Sequence, residues 1–284
     1  MPTRTDIPTR RPRRPAFRPL AAATAGAALL ALAACGTGEE EIPYVERPAE
    51  SIYTEAFNAM EDDNYSLASD LFDEVERQHP YSQWATRAQL MSAYAHYEAT
   101  RYDDAIVALD RFIQLHPGNK DVDYAYYLKA LSYYERISDV ERDQRMTEQA
   151  LQSLREVVNR FPDSEYARDA SMKIDLTLDQ LAGKHMEIGR WYLRQGHYNA
   201  AINRFHTVIQ DYQTTTHAPE ALHRLTEAYL SLGLQREAQQ AAAVLGYNYP
   251  GSPWYVDSYA ILVDEGVRPR EDQGFIEDAL DWIF

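Results

Sequence analysis

Residues 101–119 read RYDDAIVALDRFIQLHPGN. Within them Ala105 is followed twelve residues later by Pro117, and that proline sits between His116 and the pair Gly118-Asn119. The same spacing returns at Ala68 and Pro80, at Ala150 and Pro162, and at Ala238 and Pro250. A fifth alanine, Ala201, keeps the phase but has Gln213 where the proline would stand, so the alanine-to-alanine steps run 37, 45, 51 and 37 residues. Around each proline the order is a ring, Pro, one residue, then Ser or Asn: His79-Pro80-Tyr81-Ser82, His116-Pro117-Gly118-Asn119, Phe161-Pro162-Asp163-Ser164 and Tyr249-Pro250-Gly251-Ser252. The ring closes one helix, Pro cannot continue it, and Ser or Asn accepts the orphan N–H groups of the next. A chain punctuated in this way is a repeat protein.

Each unit reads as two helices of about twelve to fifteen residues with apolar positions three and four apart. Twelve residues before the signature alanine stand Ala56, Ala93, Gly189 and Thr226, and in the third unit an eight-residue insertion displaces the small residue to Ala130. Phe72 and Phe205 follow their alanines by four, while Tyr65, Tyr102 and Tyr198 precede theirs by three. This order of small residue, alanine, bulky residue and proline resembles the tetratricopeptide repeat, over about residues 49 to 252. The expected fold is all-α: a tetratricopeptide-repeat solenoid of five helix-hairpin units at about 49–81, 82–118, 119–163, 164–214 and 215–252, followed by C-terminal capping helices in 253–284, the last near Phe275 to Ile283. A lone hairpin cannot bury both of its faces. Stacking makes one continuous core and a curved rod lined inside by the first helix of each unit, so function is expected on a surface.

At the amino terminus Arg4, Arg10, Arg11, Arg13, Arg14 and Arg18 precede an apolar run from Leu20 to Ala34. A basic region, an apolar segment too short to be a stable span, and small residues before a cleavage point make residues 1–34 a secretory signal. Its ending, Leu32-Ala33-Ala34-Cys35, resembles the bacterial lipobox, which implies that Cys35 is lipidated and becomes the first mature residue. Cys35 is the one cysteine of the chain, so no intramolecular disulfide is available and stability rests on packing. Residues 36 to 50, rich in Gly, Glu and Pro, read as a flexible tether, and Gly36 in place of an aspartate favours the outer membrane with the protein facing the periplasm.

Cleavage before Cys35 removes six arginines and one aspartate, which takes the formal charge from −16 to −21 over 250 residues. Nucleic acid is therefore excluded as a partner, and membrane attachment falls to the acyl chains rather than to the protein surface. No zinc-protease, Walker, dinucleotide or serine-elbow motif occurs, and His79 and His116 share a repeat position with Phe161 and Tyr249, which makes them packing rings. No enzyme activity, cofactor or metal is expected.

Tyrosine is abundant, at 21 of 284 residues. On the face of the first helix that a tetratricopeptide array turns inward stand Tyr53, Phe57 and Met60 in the first unit, Arg87, Leu90, Tyr94 and Tyr97 in the second, and Tyr124, Tyr127, Leu131 and Tyr134 in the third. Rigid amphipathic rings along a wall bind extended peptide at low entropic cost. The fourth unit differs: a long helical stretch from Glu165 to Gln195, broken near Gly183, carries Lys173, Lys184, Arg190 and Arg194, with Arg204 on the next helix, a candidate dock for an acidic partner. The third unit's insertion, Ser138 to Glu148, reads as a charged exposed loop.

The lipobox, short tether, five units with enlarged third and fourth members and terminal helix together resemble the BamD family of outer-membrane protein assembly factors. The resemblance implies a scaffold lipoprotein of the β-barrel assembly machine that contacts the periplasmic domains of the insertase BamA and other subunits of the machine, and receives unfolded β-barrel precursors. It implies a precursor groove at Tyr53, Phe57, Arg87, Tyr94, Tyr97, Tyr124, Tyr127 and Tyr134, and an insertase dock at Lys184, Arg190, Arg194 and Arg204. A pilotin-like or Tol-type tetratricopeptide lipoprotein is the alternative.

Overall fold

The computed structural model describes residues 46–270 and 272–283, so Cys35, the signal and most of the tether lie outside the described residues. Among these residues there are twelve α-helices and no strand. Five antiparallel pairs come first: α1 (Ala49–Glu61) with α2 (Tyr65–Gln78), α3 (Gln83–Glu98) with α4 (Tyr102–Leu115), α5 (Val122–Tyr134) with α6 (Arg145–Arg160), α7 (Glu165–Arg194) with α8 (Tyr198–Asp211), and α9 (Ala218–Ser231) with α10 (Gln235–Asn248). Two more helices, α11 (Pro253–Asp264) and α12 (Gln273–Ile283), end the chain. None of the described helices is long and apolar enough to cross a membrane.

The turn residues perform as their chemistry requires. His79, His116, Phe161, Tyr212 and Tyr249 are the C-caps of α2, α4, α6, α8 and α10, all with φ between −129° and −134° and each returning its N–H to the carbonyl four residues back. Tyr212 keeps this geometry although Gln213 replaces the proline, so the ring position, not the proline, sets the helix end. Thr215 Oγ1 then donates to the Tyr212 carbonyl at 2.8 Å, and the Asp179 carboxylate accepts from both N–H and hydroxyl of Thr216, holding the turn without proline. His79 Nε2–H donates to the Arg47 carbonyl and His116 Nε2 meets Gln89 Oε1, which makes both histidines packing rings with satisfied tips. Ser82, Ser164 and Ser252 cap α3, α7 and α11 from their side chains. Asn119 does not cap: its side chain accepts from Asp121 N–H in a local turn, and α5 begins only at Val122.

Within each pair the two helices cross at small residues. The signature alanines Ala68, Ala105, Ala150, Ala201 and Ala238 are fully buried, as are Ala56, Ala93, Ala130 and Thr226. Thr226 satisfies its hydroxyl on the Leu222 carbonyl at 3.0 Å. A Cβ built on Gly189 would lie 2.4 Å from the Phe205 ring, which is itself fully buried. First helices of successive pairs touch one another along the whole run from α1 to α11, whereas the backbones of the second helices α2, α4, α6, α8 and α10 stand apart from each other, α2 and α4 being linked through the Arg111–Glu76 ion pair. First helices therefore form the inner side of a curved stack, and the second helices splay on the outside. At the far end α12 folds back on α10 and α8, burying Phe275, Ala279 and Ile283 against the last core.

Three expectations need correction. α7 runs unbroken through Gly183 for 30 residues, because Gly183 is buried in its interior with the His217 and Val140 side chains over it. The third unit's insertion is stitched down instead of hanging free: the buried Gln144 amide donates to the carbonyls of Asp139, Val140 and Arg142, and α7 adds Gln180 to Ser138 and Lys184 to Glu141. The first pair also takes in residues expected to belong to a tether ending at Glu50. Ala49 and Glu50 belong to α1, and Arg47 is fixed by Gln78, His79 and Glu55.

An exchange of Gly189 for Ala tests the close crossing. Inside a helix the change would ordinarily gain about 1 kcal/mol in propensity, but the added methyl meets an immobile ring, and overpacking costs roughly 1–3 kcal/mol. Gly189→Ala is expected to lower the urea midpoint, while Gly118→Ala, with nothing within 4 Å of its new methyl, leaves it in place.

Candidate binding face

The inner wall of the first three pairs is aromatic, and its rings bridge consecutive first helices. Tyr53 on α1 packs at 4.9 Å from Trp84 of α3 and at 5.3 Å from Phe72 of α2. Tyr124 and Tyr127 on α5 meet Tyr166 of α7 at 5.4 and 5.0 Å, the second pair stacked at 21°. On α3, Tyr97 makes an edge contact with Tyr102 at 5.6 Å, and Tyr94 packs in the same core as Leu90, Tyr97 and Tyr124. Tyr134 lies under the Lys173 ammonium at 5.6 Å. Tyr94, Tyr97, Tyr124, Tyr127 and Tyr134 thus share one continuous surface. Tyr53 is spent mainly on the junction between the first two pairs, whereas Phe57, 42% exposed, and Arg87 stand open beside it.

Carboxylates thread this wall. The Tyr127 hydroxyl donates to Asp169, which also holds Lys173 at 2.8 Å, and these hydrogen bonds keep Asp169 below the usual carboxylate range. Burial, helped by a hydrogen-bonding contact with Glu98, pushes Tyr94 up to about 12. Burial and then the Glu135 charge push Tyr97 up to about 12 as well. Burial raises Tyr124 and Tyr127 too, Asp169 adding to the second. The phenols of Tyr94, Tyr97, Tyr124 and Tyr127 are therefore neutral near pH 7, each with an apolar face and a polar tip.

The basic residues of the carboxy-terminal half are distributed differently. Arg190 is tied to Glu220 at 3.0 Å and Glu187 at 3.1 Å, and Lys184 donates to the Glu141 carbonyl. Arg194, 60% exposed, lies 3.9 Å from Glu187, and Arg204 lies near His185, whose imidazole is held below its ordinary pKa mainly by burial. Around them runs a network that the sequence did not disclose: Arg224 bridges Glu220 and Glu227 and covers the Trp254 ring at 5.3 Å, while His223 meets Ser258 Oγ at 2.8 Å. Lys184, Arg190 and Arg194 thus each have a partner within the chain, Arg194 by the longest contact, and Arg194 presents the most open charge of the set.

Comparison with known proteins bears on which class of surface this is. Residues 45–245 match the YfiO family, described as outer membrane lipoprotein. An outer membrane protein assembly factor BamD of Caulobacter vibrioides is 53% identical over 257 residues, spanning 89% of this chain and 84% of that one. The corresponding factor of Rickettsia prowazekii is 47% identical over 215 residues, 76% of this chain and 86% of its own. This chain belongs to the BamD family. Among solved structures, a thermophilic tetratricopeptide-repeat protein of Thermus thermophilus is 18% identical with a TM-score of 0.33, covering 77% of this chain and 98% of its own. The fold assignment stands on the helix pairing described above.

BamD membership makes this an outer-membrane assembly factor and decides against the pilotin-like and Tol-type alternatives. For a BamD-family chain the sequence reading missed Tyr166 and Asp169, which complete the wall. Both lie in the extra length of α7 that no repeat register covers, so periodicity gave no signal for them.

The raised phenols set a pH dependence. A phenol at about 12 in the folded wall and near 10 when unfolded stabilises the fold fully below pH 10, and that contribution drains away as pH rises from 10 towards 12. Urea midpoints measured from pH 8 upward are expected to fall above pH 10, with a shallower fall in the Tyr94→Phe, Tyr97→Phe double variant.

Proposed function

We propose that the chain is a non-enzymatic scaffold lipoprotein of the β-barrel assembly machine, held at the outer membrane by lipid on Cys35 and facing the periplasm. Its tyrosine wall receives unfolded outer-membrane protein precursors, and its carboxy-terminal pairs, through the surface around Arg194, Arg190, Lys184 and Arg204, dock on the periplasmic domains of BamA. The observation that carries this proposal is the unbroken run of phenols from α3 across α5 to α7. Such a run offers stacking faces and hydrogen-bond donors to a strand that has lost its own partners, without demanding one sequence. Held precursor then lies on the same rod that contacts the insertase, which converts a bimolecular encounter into a local one.

Exchanging Tyr94 and Tyr127 for Ala removes two rings worth roughly 1–2 kcal/mol each in binding. Capture of urea-denatured barrel precursor on immobilised protein is expected to fall at least about tenfold, with BamA retention and the helical circular dichroism unchanged. Equal loss of both partners, or of neither, would contradict the division of labour along the rod. Lipid anchorage has its own test: labelled palmitate should enter the wild-type chain and not a Cys35→Ala variant, which should leave the envelope pellet. A Cys35→Ala chain that still sediments with outer membranes would refute anchorage through lipid.

A further inference from the structure

In the last two pairs one carboxylate oxygen stands between a permanent cation and a titratable ring. Glu227 Oε2 accepts from Arg224 at 2.7 Å and lies 3.7 Å from His223 Nε2. On its other side the imidazole meets α11, where Ser258 Oγ is 2.8 Å from His223 Nδ1 and fully buried. His223 is itself only 4% exposed, with the Trp254 ring 5.2 Å away.

These contacts select a tautomer. A lone pair on Nε2 would face the carboxylate, so Nε2 carries the hydrogen and Nδ1 accepts from the Ser258 hydroxyl. The Nε2–H is thus aimed at Glu227 from just beyond hydrogen-bond reach. The charged groups that act on the ring are Glu227, Arg224 and Glu220 of its own helix and Asp257 of α11, and Arg190 of α7 enters through Glu220, which it holds at 3.0 Å. Burial holds the imidazole below its ordinary pKa while Glu227 pulls the other way, so the ring is neutral near pH 7.

Arg224 completes the arrangement. Its second carboxylate, Glu220, lies at 3.4 Å and is already engaged by Arg190, while the Trp254 ring lies 5.3 Å from its guanidinium. Without Glu227 the guanidinium would keep its place over that ring with part of its donor fork unfilled. Building on the insertase dock proposed above, we propose that His223 is a proton switch within it: a proton taken up at Nδ1 draws the Glu227 carboxylate from Arg224 to the imidazolium, and the released guanidinium takes a carboxylate of the docked partner. The proton comes from solvent, Nδ1–H then donates to Ser258 Oγ, and only hydrogen bonds change. One positive charge enters the cluster at a buried ring and is expressed at Arg224, which is partly open to solvent. Docking of an acidic surface therefore tightens as pH falls.

Fluorescently labelled BamA periplasmic domains, titrated by anisotropy onto the detergent-solubilised full chain, test the switch. Binding is expected to tighten about fivefold between about pH 7.5 and about pH 5.5. His223→Gln, which cannot take the proton, should level that dependence. Glu227→Gln frees Arg224 at every pH and should bind at the upper pH about as tightly as the wild-type chain does at the lower one, with no further gain on acidification. A proton on a buried ring lowers stability as pH falls below the ordinary histidine value, so helical circular dichroism is followed in the same samples. Independently of any variant, the His223 ring resonance of the free chain should titrate before the helical signal is lost, and a ring that stays neutral until unfolding would overturn the switch. Wild-type binding that ignores pH would overturn it too and leave the dock standing. A gain on acidification that survives in both variants would likewise overturn it. Absence of binding at either pH would overturn dock and switch together.

Discussion

Two helices approach closely only where neither carries bulk at the crossing, and this chain meets that condition five times. Ala56 and Ala68, Ala93 and Ala105, Ala130 and Ala150, Gly189 and Ala201, and Thr226 and Ala238 are the small residues of the five pairs, all buried. The case of Gly189 shows how tight the condition is, since Phe205 occupies the volume a methyl would need. Close crossing flattens each hairpin into a slab with two apolar faces. Slabs of that kind satisfy their faces only by stacking, so a repeated small residue leads to a solenoid, and the contact of first helices with first helices gives the solenoid an inner wall. The binding face is therefore a by-product of core packing, furnished by whatever residues the inward row of each first helix carries.

In this chain that row carries rings in the first three pairs and charge in the last two. In the aromatic portion burial keeps the phenols of Tyr94, Tyr97, Tyr124 and Tyr127 protonated. The charged portion is knitted internally through Arg190, Glu220, Arg224 and Glu227. A surface of neutral phenols suits a partner with exposed backbone and side chains and no fixed shape. A pre-paired ionic network suits a folded partner that exchanges one set of ion pairs for another at little desolvation cost. The two halves of the rod thus differ in the kind of partner their physics favours.

Much of this was legible in the chain itself. The ring-proline-x-serine turns placed the helix ends within a residue or two, because each member of the turn has a single mechanical role that does not depend on tertiary context. Signature alanines named the buried crossings for the same reason. Tyr94, Tyr97, Tyr124 and Tyr127 were found by carrying one helical face along the register. What escaped depends on contacts between residues far apart in sequence. Tyr166 and Asp169 belong to an extension outside the register, Gln144 looked like part of an exposed loop until its amide met three carbonyls, and Gly183 looked like a helix break although burial in a long helix removes the solvent exposure that makes glycine costly. Asn119 resembled a cap by composition, but its side chain closed a local turn first.

The central claim is that the phenol wall, and not the outer surface of the rod, holds unfolded segments. Photo-crosslinking in living cells puts it to the most direct test, with a benzophenone amino acid at Tyr97 on the wall and, separately, at Val107, 69% exposed on α4. The account predicts adducts with unfolded barrel precursors from position 97 that accumulate when insertion is stalled, and none from position 107. Precursor adducts of equal yield from both positions, or from 107 alone, would contradict it.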